Sequence, residues 1–383
     1  MELNWISPIT PQTSYGYCGI NFVTALTELG HEVSLFPIGR PEIDKGCPWT
    51  QKPIQEALNR GQYNYSRNAH CIRLYHQFSQ SEFVGKGKHY AFPIFELNKF
   101  TNLEIAQLSR VDAIISPSTW SDSVIKSEII DREYEKAVHS NFKGGNEITN
   151  HIVPLGYDQR VFETQMRSVY NDKSTTKFLT IGKTEVRKSS REIVETFKKT
   201  FKPDDNVELW LSWQNLFNSE NEQREWDNFA KSGPMGEKIR LLPRFESCVE
   251  VANVIKSCDC FVSLSKAEGW NLGCLESLAC SKHIIATRNT AQTDFLNDAN
   301  CLLVETPELE DAWDGRWFLG KDFPGEKGQW YKIGKPQLEQ FSNHLKTIHK
   351  LKQNGELGLN NVDMYNFTWQ ACASKLVSVL EGI

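Results

Sequence analysis

Short apolar runs alternate with longer stretches in which apolar residues recur every three or four positions, and this exchange continues through most of the 383 residues. In the first half the short runs fall at residues 32–36, 71–75, 90–95, 113–116 and 152–154, and each predicts a strand. The stretch INFVTALTEL, residues 20–29, has helical spacing and is closed by Gly30, a residue suited to a helix C-terminus. A polar stretch, ETQMRSVYNDKSTT, follows Phe162 and separates this series from a second one at 177–181, 207–211, 239–242, 260–264 and 283–286. Strand and helix alternating in this way predict an α/β protein with a Rossmann-like, doubly wound parallel sheet in each half. The expected domains are 1–165 and 166–365, followed by a C-terminal helix in 366–383 that crosses back onto the first domain. A Gly- and Trp-rich insert at 314–335 interrupts the helical pattern of the last third.

Open parallel sheets take ligands at the carboxyl ends of their strands, so two of them facing across a cleft place the chemistry in the loops that follow strands. In TSYGYCGINF, Gly16 and Gly19 occupy the turn expected before the first helix, where they serve either a tight turn or the close approach of a phosphate. In IGKTEVRKSSREIVETF, a strand, a glycine and a helix start bring Lys183 and Lys188 into one loop, as a solvated charge cluster or as two cations for a diphosphate. In SKAEGWNLGCLE, a helix expected to begin near Leu272 lies between Glu268 and Glu276. Two carboxylates beside a helix N-terminus suit the vicinal hydroxyls of a sugar and a ribose. A purely structural reading, with Glu276 complementing the helix and Glu268 solvated, accounts for one glutamate better than for two.

Composition narrows the class. With 39% hydrophobic and 24% charged residues and a formal net charge of -5, the chain is that of a globular protein without a global nucleic-acid footprint. The N-terminus lacks the pattern of a secretory signal, and no apolar run is long enough to span a bilayer, so a cytoplasmic location is expected, the host cytoplasm if the source is viral. The ten cysteines include no C-x-x-C pair, and Cys258, Cys260 and Cys301 lie in or beside apolar runs, so free buried thiols are expected rather than zinc ligands or disulfides. The 11 Trp, 11 Tyr and 21 Phe exceed what loops require, and some of them suit stacking on a sugar or a base.

The order of the motifs resembles that of retaining GT-B glycosyltransferases, specifically glycosyltransferase family 4. An N-terminal glycine loop precedes GHEV at 30–33; SPSTWSDSV follows an N-domain strand; VPLGYDQRVF leads to the second domain; Gly182, Lys183 and Lys188 stand where the family has GRxxxxKG; and EGWNLGCLESLACSKHIIAT stands where it has EGFGLPxLEAMACGxPVIAT. The resemblance implies two Rossmann-like domains facing across a cleft and transfer of a sugar from a nucleotide diphosphate, UDP foremost, without a metal or other cofactor. It assigns Lys183 and Lys188 to the diphosphate, Glu276 to the ribose and Glu268 to the donor sugar, with the backbone of Gly269, Trp270, Asn271 and Leu272 close to the sugar and β-phosphate. Gly16 and Gly19 would line the phosphate, and Arg244 and Phe245 the base. Glu96, which follows the strand HYAFPIF where relatives carry a histidine, is a candidate acceptor-side group or base, and His76 is a second acceptor-side candidate. Glu96, Glu268 and Lys188 are the expected catalytic residues.

This chain departs from the family at Asn271 and Ser189, where glycines are usual, at Gly273, where proline is usual, and at Lys183, a point charge in place of an arginine fork. No two aspartates are spaced as D-x-D, so the leaving diphosphate is expected to rely on lysines and a helix N-terminus. The acceptor is expected to be a saccharide or lipid-linked glycan. Between residues 60 and 99, however, Arg60, Arg67, Arg73, Lys86, Lys88 and Lys99 alternate with aromatics, which keeps open hydroxymethylated pyrimidine in DNA as an alternative acceptor. A nucleotide-sugar-binding protein without turnover is the further alternative.

Overall fold

The computed structural model describes residues 1–130, 148–163, 174–319 and 328–382. The domain boundary expected at 165–166, and most of the polar stretch around it, lie outside the described residues.

Glu2–Ser7 (β1), Glu32–Pro37 (β2), His70–Tyr75 (β3), His89–Pro93 (β4), Ala113–Ser116 (β5) and Thr149–Ile152 (β6) form a parallel sheet in the order β2-β1-β3-β4-β5-β6. Thr176–Ile181 (β7), Val207–Ser212 (β8), Ile239–Leu241 (β9), Cys260–Ser263 (β10), His283–Arg288 (β11) and Leu302–Glu305 (β12) form a second, in the order β12-β11-β10-β7-β8-β9. Each sheet has one point where the strand order reverses, between β1 and β3 and between β7 and β10. A doubly wound sheet opens a crevice there because successive helices leave to opposite faces. A short antiparallel pair joins Leu309–Asp311 (β13), just before the Trp-rich insert, to Gln329–Tyr331 (β14) within it.

The most N-terminal strand is one that the apolar pattern did not announce. β1 reads ELNWIS and lies centrally, with Trp5 in register with Leu35 and Ile72. Its polar residues Asn4 and Ser7 are fully buried. Asn4 donates to the Ser66 carbonyl at 2.9 Å, and the Ser7 hydroxyl accepts from the Trp5 indole at 2.9 Å. Burial of such groups is tolerable only with these partners, which the linear sequence does not show.

The first helix corrects one expectation. It spans Ser14–Glu28 with Thr13 as its N-cap, so Gly16 and Gly19 lie within the helix and not in a turn before it. A side chain on Gly16 would overlap the Thr10 backbone, and one on Gly19 would overlap Ser7 and Pro8. The glycines therefore let the first turns of the helix press against the segment after β1. Their low helix propensity, about 1 kcal/mol each relative to alanine, hid that turn in the sequence.

Several contacts join the halves. The helix Trp369–Glu381 packs on Ser14–Glu28 through Trp369 and Phe22, whose ring centroids lie 5.2 Å apart, and Gln370 donates to Glu28 at 3.0 Å. Thr119 donates its N–H to Asp294 at 2.8 Å, and the Gln329 N–H donates to Asn98 at 2.8 Å. A disulfide joins Cys47 to Cys248, 201 residues apart, which corrects the expectation of free thiols throughout. No spacing motif announces this pair, because the two cysteines meet only when the halves pack. The other eight cysteines, Cys258, Cys260 and Cys301 among them, are free and buried. No helix among the described residues is long and apolar enough to cross a membrane.

Candidate functional site

The loops after β7 and β10 meet at the reversal point of the second sheet, opposite the loops after β1, β3 and β4. β7 ends at Ile181, and after Gly182 the chain carries Lys183, Glu185, Arg187 and Lys188 before turning into the helix Ser190–Thr200. The turn runs through Ser189 at φ 50°, a left-handed conformation that explains the glycine usual at this position. After β10 the chain passes Glu268 and Gly269 and enters the helix Leu272–Ala279 through Asn271, at φ 76°. Asparagine is among the few residues other than glycine that visit this region readily. Its side chain turns inward: Oδ1 accepts the Cys274 N–H at 3.4 Å, and Nδ2 donates to Gln292 at 2.6 Å and Ser263 at 3.0 Å. At Gly273 an added Cβ would lie 2.7 Å from the Phe261 ring, so Phe261 fills the space that another residue would need.

The two loops are welded by charge. Lys188 pairs with Glu268, and Lys183 with Glu185 at 2.6 Å. Between them lies Arg187, a residue that sequence reasoning passed over. It is 6% exposed, donates to the Ala267 carbonyl at 2.7 Å, and lies 3.4 Å from Glu268, 3.2 Å from Glu185 and 3.7 Å from Glu96 of the other half. Burial opposes its charge, yet Glu96, Glu185 and Glu268 hold it above the ordinary arginine range. Burial likewise works against the Glu268 carboxylate, but Lys188 and Arg187 hold it below the usual glutamate value. Glu185 is also depressed, its burial outweighed by Arg187 and Lys183. Glu96 goes the other way: burial raises it, with Arg187 opposing. The signal that could have found Arg187 is its place beside Lys188 in the same strand-glycine-helix loop.

Below this cluster a small cavity is lined by Gly182, Lys183, Lys188, Ser190, Ser263 and Ser265, among others. Cations, hydroxyls and the N-terminus of Ser190–Thr200 converge on it, the chemistry of an anion site. Glu276 lies one helical turn inside Leu272–Ala279, facing Tyr17. It is buried without a charge partner, and burial pushes its pKa up to about 8 despite the Tyr17 hydroxyl.

The remaining expected residues divide. Trp270 points its ring into the core against Phe295, 5.2 Å away, and Phe367, 5.9 Å away, so only its backbone faces the loop. A Cβ on Gly269 would lie 2.6 Å from Ile94, so this glycine admits the β4 segment of the facing domain. Arg244 donates to the Gln12 carbonyl across the halves, and Phe245 packs at the edge of the core. His76 bonds through Nδ1 to the Tyr15 hydroxyl at 2.9 Å, while that hydroxyl donates to the Ile94 carbonyl at 2.6 Å. The proton of His76 therefore sits on Nδ1, and Nε2 keeps its lone pair. Burial and Lys183 lower the imidazole pKa to about 4, so the ring is neutral at physiological pH. In the basic segment, Arg60 pairs with Glu32 at 2.6 Å, and buried Arg73 pairs with Glu82 at 2.8 Å, which consumes two of its cations.

Residues 161–315, which carry both loops, match the family described as glycosyl transferases group 1. The chain is a glycosyltransferase. No curated protein sequence matches it. The whole glycosyltransferase resembles sucrose-phosphate synthase from Thermosynechococcus elongatus, with a TM-score of 0.63 and 14% identity, over 100% of this chain and 98% of that one. It also resembles Anabaena HepE, solved in complex with UDP and glucose, at 0.62 and 12% over the full length of both, and a glycosyltransferase from Rickettsia africae at 0.62 and 12%, over 100% of this chain and 98% of that one. At such identities these likenesses establish the GT-B fold of two facing Rossmann-like domains.

Proposed function

We propose that this glycosyltransferase is a retaining, metal-independent enzyme of the family-4 type, which moves a sugar from a nucleotide diphosphate, UDP foremost, to a hydroxyl of a saccharide or lipid-linked glycan. The observation that carries the reading is the Lys188–Glu268–Arg187 cluster above an anion-suited cavity, at the reversal point of the second sheet. The donor diphosphate enters the cavity and exchanges partners with Lys183 and Lys188, whose carboxylates Glu185 and Glu268 are freed. Glu268, held ionised, accepts hydroxyls of the donor sugar, and Glu276 accepts those of the ribose. That HepE was solved with UDP and glucose supports a UDP-sugar as donor.

As the bond from C1 of the sugar to the β-phosphate oxygen breaks, its electron pair stays on the diphosphate. Lys183 and Lys188 stabilise that charge in a site whose cations are already in place. The acceptor oxygen forms the new bond to C1 and gives up its proton to the departing phosphate or to Glu96. Glu96 suits proton transfer because burial raises its pKa above the ordinary glutamate value. His76 Nε2 is an acceptor for a substrate hydroxyl.

The test is a screen of radiolabelled UDP-, GDP- and ADP-sugars for transfer and hydrolysis. Glu268→Gln is expected to lower turnover about 10- to 100-fold, the loss of one charge-assisted contact. Unchanged turnover and donor affinity in that variant would overturn the assignment, as would a wild-type enzyme that binds no nucleotide sugar.

A further inference from the structure

The Trp-rich insert and the loop after β8 expose apolar rings that neither the fold nor the donor site uses. Phe217 is 45% exposed and Trp317 53%, with centroids 5.3 Å apart and ring planes 70° to one another, so that they form two walls of a corner, and Leu216 and Trp313 nearby in the chain are exposed as well. Exposed aromatics are ordinarily mobile, but these are held. The Asp314 carboxylate accepts the N–H groups of Arg316, Trp317 and Phe318 at 2.8, 2.7 and 2.9 Å, which fixes the turn that presents Trp317. Arg316 reaches across to the Phe217 carbonyl and to Asn218 at 3.3 Å, and its guanidinium lies over the Trp317 ring at 5.5 Å. Asn218 in turn donates to Thr184 at 3.0 Å. Holding apolar faces in water is costly unless a ligand covers them, and preorganisation reduces the entropy lost on binding.

The patch borders the donor site directly. The Lys183 ammonium lies 5.2 Å from the Phe217 ring centroid and also lines the cavity proposed for the diphosphate. A molecule resting on Phe217 therefore lies beside Lys183, at the rim of the site proposed for the diphosphate. Local charge restricts what that molecule is. Lys183 is paired with Glu185, Arg316 lies 3.9 Å from Glu222, and Arg224 lies 4.0 Å from Glu220, so the cations around the patch are matched by carboxylates. A nucleic acid backbone requires an excess of positive charge, which this surface lacks. Flat apolar faces ringed by balanced polar groups suit the C–H face of an uncharged pyranose.

We propose that Phe217 and Trp317 form a stacking platform for the acceptor, an uncharged oligosaccharide, contributed by the donor-binding domain. The proposal rests on the transferase reading above and names the acceptor class for it. The platform grips rings beyond the one that reacts, so it sets which acceptor length binds.

Saturation-transfer NMR on the full chain with UDP present, using maltohexaose, isomaltohexaose and xylohexaose as probes, tests this. At least one hexaose is expected to receive saturation, strongest at ring C–H protons. Trp317→Ala or Phe217→Ala should weaken that hexaose about ten-fold, the order of a lost stacking face. Leu309→Ala, an equally exposed apolar truncation in β13, should leave it unchanged. The platform is refuted if no hexaose binds, if both aromatic truncations leave binding intact, or if a single-stranded DNA 12-mer displaces the sugar. It is also refuted if those truncations weaken UDP and spare the hexaose. Calorimetry with UDP and UDP-glucose runs in parallel, because absence of nucleotide binding would count against the transferase reading and not against the platform alone.

Discussion

Arg187→Met offers the sharpest test of the charge cluster. The guanidinium lies 3.2 to 3.7 Å from three carboxylates, Glu185, Glu268 and Glu96, and the first two are as buried as the arginine itself. At an effective dielectric of about 20, unit charges at such separations attract by roughly 4–5 kcal/mol per pair, most of it offset by desolvation. Removing Arg187 leaves Glu185 and Glu268 with one cation each, Lys183 and Lys188, and takes from Glu96 its ion pair, and the expected net loss is about 3–5 kcal/mol, or roughly 6–20 °C in Tm for a domain of this size.

The loss depends on pH, with a defined sign. Glu185 and Glu268 have depressed pKa values in the folded protein, so their stabilisation is full above the ordinary carboxylate range and fades as pH falls through the folded values. Without Arg187 both values rise, so the deficit is largest near pH 8 and shrinks toward pH 5, where the carboxylates take up protons. Urea and thermal unfolding of variant and parent at pH 5 and pH 8 measure it. A deficit under about 1 kcal/mol, or one equal at both pH values, refutes the reasoning, because buried carboxylates that lose a cation must show both effects. Arg187→Lys, which keeps a charge but loses the fork, should fall between the two.

Glu276 predicts the opposite slope. With its folded pKa pushed to about 8, the buried carboxyl costs stability as pH rises from about 4.5 to 8, by up to about 1.4 kcal/mol per pH unit. Glu276→Gln should therefore gain on the parent in Tm across that window while losing affinity for UDP, and parallel Tm profiles would contradict the burial. Ser189 holds a left-handed φ, and its buried hydroxyl has no partner among the described residues. Ser189→Gly should stabilise by about 1 kcal/mol in thermal unfolding, and a lower Tm would mean that the hydroxyl is satisfied in solution.

Much of the architecture was legible along the chain because parallel strands buried on both faces are continuous apolar runs, and their helices carry a clear stripe. The runs at β7, β8, β10 and β11 are of this kind, and the starts of the helices after Lys188 and Asn271 follow from the order strand, glycine, helix in both loops. β1 escaped because Asn4 and Ser7 break its apolar run, and the helix Ser14–Glu28 looked shorter because glycines occupy its first turns. β12 and the β13–β14 hairpin escaped because they are short and sit in or beside an irregular insert.

The sequence by itself determined the alternation of elements and the loops that carry Lys183, Lys188, Glu268 and Glu276. Those properties are local, set by periodicity and by turn chemistry within a few residues. Only the tertiary structure decided that Arg187 stands among three carboxylates, that Cys47 meets Cys248, that Gly269 serves the contact between domains, and that the exposed rings of Phe217 and Trp317 meet edge to face. Each of these joins residues far apart in the chain. Their energies come from burial and from distances of a few ångströms, quantities that exist only once the two sheets have packed.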